Sequence, residues 1–328
     1  MRRLVLSALI LVGVILAPMQ ATPMSAAPMT NVSIYLNWIT NVEFAGIWVA
    51  QQKGWWAQAG LHVTAKPYDF NNDPTVLVGA GKYLFGSQDG ASLIIGRARG
   101  IPVKGVWASV QQSPFAFISM PNSHITTVKD FRGKRIGYQA HERYVLEAML
   151  NHEGMTLADV KPVVVGFDPT LLVAGKVDAY LAFITNEPID LWLTKHIRVN
   201  IIPASKYGYN FYSDVLFTTD NVIKTRPELV RTVVRIMDRG WRYALAHPSE
   251  AARIVVPKLD NQDSLAQQTE EMKALARLAT GPHAPVGSMT AARWQAGINL
   301  LLRYKQIPAP VPVNQIFTTQ FLPAGARG

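Results

Sequence analysis

The sequence predicts an α/β chain of two lobes with mostly parallel sheets, ending in a helical tail. Three observations carry this expectation. Strand and helix signals alternate from Asn31 to about Tyr212, the pattern of repeated βα units. After Tyr212 the texture changes to amphipathic helical periodicity. About 300 residues of mature chain favour two cores over one doubly wound domain, the plainer alternative.

NVSIYLNW alternates like a half-buried strand, and Asn41 can cap the helix VEFAGIWVAQQKG, whose Phe44, Ile47, Trp48 and Gln51 share one face. GLHVTAKPY reads as a second strand after a Gly turn. KYLFGSQDGASLIIGRARG reads as a strand, a polar loop and a helix ending at Gly100. IPVKGVWASV and SPFAFISM are strand candidates, and KRIGYQ, VKPVVVGF, VDAYLAFI and VNIIPAS repeat the pattern. Helices RYVLEAMLNHEG and PIDLWLTKH lie between them. Amphipathic helices follow near Pro227 to Ala246, Pro248 to Val255, Asp263 to Thr280 and Thr290 to Tyr304. The expected division is an export signal over 1–27, a first lobe over 28–114, a second over 115–214, and a return to the first lobe with the C-terminal helices over 215–328.

Arg2 and Arg3 precede an apolar run from Leu4 to Ala17, and small residues follow at Ser25, Ala26 and Ala27. That is the order of a secretory signal cleaved near Ala26 or Ala27, and it predicts a periplasmic protein. Pro18 and Pro23 break the run short of the roughly 20 apolar residues of a membrane span.

The 328 residues carry a formal charge of +10, yet only 16% are charged, against about 25% in an average soluble domain. With no Cys, disulfides, thiolate metal sites and Cys nucleophiles are excluded. The seven His residues are scattered singly, and no zincin helix, nucleophile elbow, phosphate loop or dinucleotide fingerprint is present. Each His therefore reads as a surface or core residue; no catalytic residue, metal or cofactor is expected. Arg226, Arg231, Arg235, Arg239 and Arg242 fall along one side of a helix, either a solvated face or a docking surface. An exported chain without a polybasic tract is not expected to bind nucleic acid.

Recognition of a small ligand has richer support. Aromatic and amide residues gather at the ends of expected strands: Asn37, Trp38 and Asn41; Tyr68; Ser87, Gln88 and Asp89; Gln111, Gln112 and Ser113; Gln139; Phe183, Asn186 and Glu187; Tyr207 and Tyr209. Open parallel sheets bind ligands outside the carboxyl ends of their strands. Flat side chains there can stack on a planar ligand, and amides and carboxylates can hold its edges.

LNWITNVEFAGIWVAQQKGWWAQAGLHV resembles the opening of the ABC-importer solute-binding proteins related to thiamine-pyrimidine-precursor binders, a superfamily that includes the fungal thiamine pyrimidine synthase. RARGIPVKGV, VKDFRGKRIGY, GKVDAYLAFITNEPIDL and RGWRYALAHPSEAARI extend the resemblance over nearly the whole mature chain. It implies a type II periplasmic-binding-protein fold, with two lobes joined by crossovers near Ser113 to Ser119 and Tyr212 to Phe217. It further implies a monomer that closes over a ligand and delivers it to a permease. The family's aromatic stacker falls on Trp38, the aromatic before its Asn-Glu pair on Phe183, and its carboxylate on Glu187. An aminopyrimidine held by Trp38 and Glu187 is the ligand so implied. The binding set expected from strand ends and resemblance together is Asn37, Trp38, Asn41, Phe44, Tyr68, Ser87, Gln88, Gln112, Ser113, Gln139, Phe183, Asn186, Glu187 and Tyr209. Pyrimidine binders often carry His where this chain has Phe44, and Asp and Pro where it has Asn37 and Ile39. These departures make the pocket more apolar, and relatives on the same scaffold take flavins or other aromatic compounds. The catalytic fungal branch uses a Cys-rich motif that this chain lacks; an exported enzyme acting on an aromatic substrate stands as the other class of function.

Overall fold

The computed structural model describes residues 28–259, 263–280 and 284–326; the expected export signal lies outside them. Ten strands form two five-stranded sheets. The first takes β1 (Thr30–Tyr35), β2 (Leu61–Lys66), β3 (Phe85–Gln88), β4 (Val103–Val110) and β10 (Ser213–Thr219), in the order β2-β1-β3-β10-β4. The second takes β5 (Phe115–Ser119), β6 (Arg135–Tyr138), β7 (Lys161–Val164), β8 (Ala179–Phe183) and β9 (Asn200–Pro203), in the order β7-β6-β8-β5-β9. β10 runs antiparallel between β3 and β4, and β5 antiparallel between β8 and β9. Each sheet therefore receives one antiparallel strand from chain arriving from the other, and the two orders are equivalent.

β10 was not expected as a strand. All seven of its residues are buried, so SDVLFTT shows no alternation by which to recognise it. Most of the two stretches expected as crossovers are these antiparallel strands. The chain passes between the sheets just before them, at 111–114 and 204–212.

Helices cover the sheets. Pro227–Ala246 buries Val230, Val233, Val234, Met237 and Trp241, an apolar stripe at helical spacing, and packs on Ala45–Gln52. Three of its basic series are engaged within the chain: Arg231 lies over Phe321, Arg239 lies 3.8 Å from the Trp55 ring centroid, and Arg242 pairs with Asp238 at 2.7 Å. Arg226 and Arg235 are exposed. Ala291–Arg303 packs on Gly90–Ala98. No helix among the described residues is long and apolar enough to cross a membrane.

Candidate functional site

A cleft of about 690 Å³ is lined by residues of both sheets' connecting loops. Four parallel strands point their carboxyl ends into it. β1 delivers Asn37 and Trp38, β3 delivers Gln88 and Asp89, β6 delivers Gln139 and Glu142, and β8 delivers Phe183, Asn186 and Glu187. A helix or helical turn starts after each strand, so helix N-termini converge on the cleft floor.

Of the expected residues, Asn37, Trp38, Tyr68, Gln88, Gln139, Phe183, Asn186 and Glu187 line this cleft. The other six lie elsewhere. Asn41 is buried; its Oδ1 accepts the Glu43 N–H at 2.9 Å and its Nδ2 donates to the Glu43 carboxylate at 3.1 Å, so it caps the helix and aims Glu43. Phe44 belongs to the first lobe's core, because the opposite face of that turn carries Glu43 to the cleft. Ser87 faces a small internal cavity, since successive strand residues point to opposite faces. Gln112 and Ser113 lie in the chain crossing between the sheets, with backbone N–H groups bonded to Leu278 O and Asn210 Oδ1. Tyr209 is buried behind the wall, against Phe115 and Tyr144.

Several lining residues were not expected. Phe70 and Phe167 meet Trp38 at the mouth, with centroids 5.5 and 4.6 Å from it and 5.2 Å from each other. Phe70 stands in the first lobe after β2 at a positive φ of 63°; Phe167 follows β7 of the second, so the three rings span the cleft. The strand-end rule applied to β7 would have found Phe167. Glu43, Glu142 and Tyr144 sit in helical turns just past the strand ends, where sequence carries no special pattern. His141, expected as surface or core, lines the cleft, and burial pushes it below its ordinary pKa.

The floor is rich in carboxyls. Glu187 accepts the Phe183 N–H at 2.8 Å, and burial raises it to about 7. Burial and the neighbouring Asp214 hold Glu43 well above the usual carboxylate range. Burial likewise lifts Glu142, assisted by Asp89 and Glu187. Asp214 bonds Asn37 Nδ2 at 3.0 Å through one oxygen, and burial carries it to about 7. Behind Glu43, Gln267 and Gln268 each donate at 3.0 Å to Glu271, which burial raises to about 8. The Gln139 amide group reaches Leu181 O, Tyr180 Oη and Gly166 O at 3.2–3.3 Å, so its donors are committed to the wall. Flat rings flanked by amides and by carboxyls that burial favours in the protonated form, able both to donate and to accept, suit a planar ligand with polar edges. The described residues contain no group of three or more metal-ligating side chains.

The description "NMT1/THI5 like" matches residues 41–251. The riboflavin-binding protein RibY of Chloroflexus aurantiacus is 31% identical, over 90% of this chain and 87% of its own. The formylaminopyrimidine-binding protein of Halalkalibacterium halodurans is 24% identical over 88% of this chain and 89% of its own. A 4-amino-5-hydroxymethyl-2-methylpyrimidine phosphate synthase of Legionella pneumophila is 24% identical over 69% and 73%. Among solved structures, the alkanesulfonate-binding protein SsuA of Xanthomonas axonopodis pv. citri, bound to MOPS, superposes with a TM-score of 0.67 at 17% identity, covering 90% of this chain and all of the other. The chain therefore belongs to the NMT1/THI5-like family and has the fold of the periplasmic solute-binding proteins of ABC importers.

Proposed function

We propose that the chain is an exported solute receptor of an ABC importer and that its ligand is an uncharged flavin, riboflavin or a close analogue. One observation carries the ligand's size: the cleft of about 690 Å³, walled by rings from both lobes, falls well inside the range of about 300–1,000 Å³ for small-molecule sites. A tricyclic ring with a polyhydroxyl chain fills such a space; a single aminopyrimidine leaves most of it to water. The identity to a protein named for riboflavin binding supports the same choice. Trp38, Tyr68 and Phe183 supply stacking faces, Glu187 accepts a ring N–H, and Asn37, Gln88, Gln139 and Asn186 hold the polar edges. Export and delivery to a permease are supported by the fold shared with importer receptors. Relatives named as synthases favour an enzyme as the second candidate.

Titration with riboflavin, followed by flavin fluorescence and thermal stability, tests this. Saturable binding is expected, with stabilisation growing as RT ln(1 + [L]/Kd) and the ligand recovered unchanged by mass spectrometry. Saturation by an aminopyrimidine but not by riboflavin would reassign the ligand. Conversion of the ligand would replace the receptor by an enzyme.

A further inference from the structure

A helix N-terminus opening onto a cleft is a ready anion site, because its first N–H groups have no partners within the helix and its dipole favours negative charge. In this cleft that position is filled from within. Asp89 precedes the nine-residue helix Gly90–Ala98, and its Oδ1 accepts the N–H groups of Ala91 and Ser92 at 2.8 and 3.0 Å. Its Oδ2 accepts the Ser92 hydroxyl at 2.7 Å. Asp89 is buried yet lines the cleft, so every donor presented by this helix start toward the ligand space is already taken. Neighbouring helix starts add further carboxyls: Glu43, Glu142 and Glu187 stand at or just before first turns, and the Glu187 carboxylate takes the N–H of Phe183, the last residue of β8. The lining guanidiniums, Arg99 and Arg143, are exposed, and Arg143 is bonded to Glu147 at 2.8 Å.

We propose that Asp89 is a specificity-determining residue: its carboxylate occupies the anion position at the cleft floor, so the part of a ligand that reaches the floor must be uncharged or cationic and must not carry a phosphate, sulfonate or carboxylate. The proposal rests on the cleft being the ligand site, and it adds to the flavin assignment which chemical end of a ligand can enter first. It also means that a short change of sequence separates this cleft from an anion-binding one. Removing the Asp89 side chain frees the Ala91 and Ser92 N–H groups and removes the nearest negative charge in one step.

The test compares wild type, Asp89→Gly and Asp89→Asn for stabilisation by sulfate and by MOPS against chloride at equal ionic strength, with riboflavin as a separate arm. Gly at an N-cap costs only a few tenths of a kcal/mol, so Asp89→Gly is expected to fold. Asn keeps an N-cap acceptor and removes only the charge. Wild type should show no saturable response to either anion. Asp89→Gly should bind them at least about tenfold more tightly than wild type, with Asp89→Asn between, as expected when a like charge is lifted from an anion's path. Saturable anion binding by wild type as tight as that of Asp89→Gly overturns the proposal. So do folded variants that respond to the anions no more than wild type does. The riboflavin arm reports separately on the flavin assignment: wild type that ignores riboflavin removes that assignment and leaves the anion comparison to decide the role of Asp89.

Discussion

Single residues divide into those that face the cleft and those that hold them there. Trp38 belongs to the first kind, bridging Phe70 and Phe167 while its carbonyl accepts the Tyr68 N–H at 3.1 Å. Trp38→Ala should weaken riboflavin binding at least tenfold, about 1.4 kcal/mol, with an unchanged circular dichroism spectrum; undiminished affinity by fluorescence titration would remove Trp38 from the site. Asn41 belongs to the second kind. Its amide looks in sequence like a ligand contact, but it spends both its oxygen and its nitrogen on Glu43. The residue types around the site were legible because strand ends in an α/β chain are where ligands bind. Which of two adjacent side chains faces the cleft was not, since Ser87 and Gln88 differ by one residue and point to opposite faces.

At the scale of elements, the long helices were legible to within a residue or two. Pro227–Ala246 and Pro248–Val255 each open on a proline at a helix start and carry a clear apolar stripe. Their fit to neighbours was not. A Cβ on Gly240 would come 2.1 Å from the carbonyl oxygen of Gly46, and one on Gly46 would come 2.2 Å from Trp241 Cδ1. The helices Ala45–Gln52 and Pro227–Ala246 thus touch backbone to backbone beside the loop that carries Trp38 and Glu43. Gly240→Ala should cost about 2–3 kcal/mol through overpacking, read as a lowered denaturant midpoint with little change in the m-value. An unchanged midpoint would show that the helix pair can separate freely. β10 escaped recognition for a related reason: a strand buried on both faces has no period of two.

For the whole molecule, two equivalent sheets set their helix starts around one cleft, and buried carboxyls gather in it, as Glu187 does, and behind it, as Asp214 and Glu271 do. A carboxyl raised on folding binds more protons folded than unfolded. It therefore adds stability that is complete below its unfolded value and lost as the pH climbs to its folded one. For Glu187, Asp214 and Glu271 the unfolded values are 4.5, 3.8 and 4.5 and the folded ones about 7, 7 and 8. The ligand-free Tm should fall by several degrees between pH 5 and pH 8; His141, pushed down by burial, opposes this as a single group. Glu187→Gln should flatten the slope, and a slope unchanged by it would mean that Glu187 is not protonated in the folded state. The sequence by itself determined the α/β class, nearly all the strands, the longer helices and the family, because these follow from local periodicity and short motifs. Only the tertiary structure decided that Phe70 meets Phe167, that β5 and β10 are exchanged between the sheets, and that the helix starts carrying Asp89 and Glu187 face one cleft. Those contacts join residues far apart in the chain, and their geometry depends on how two sheets pack, which no single window of sequence encodes.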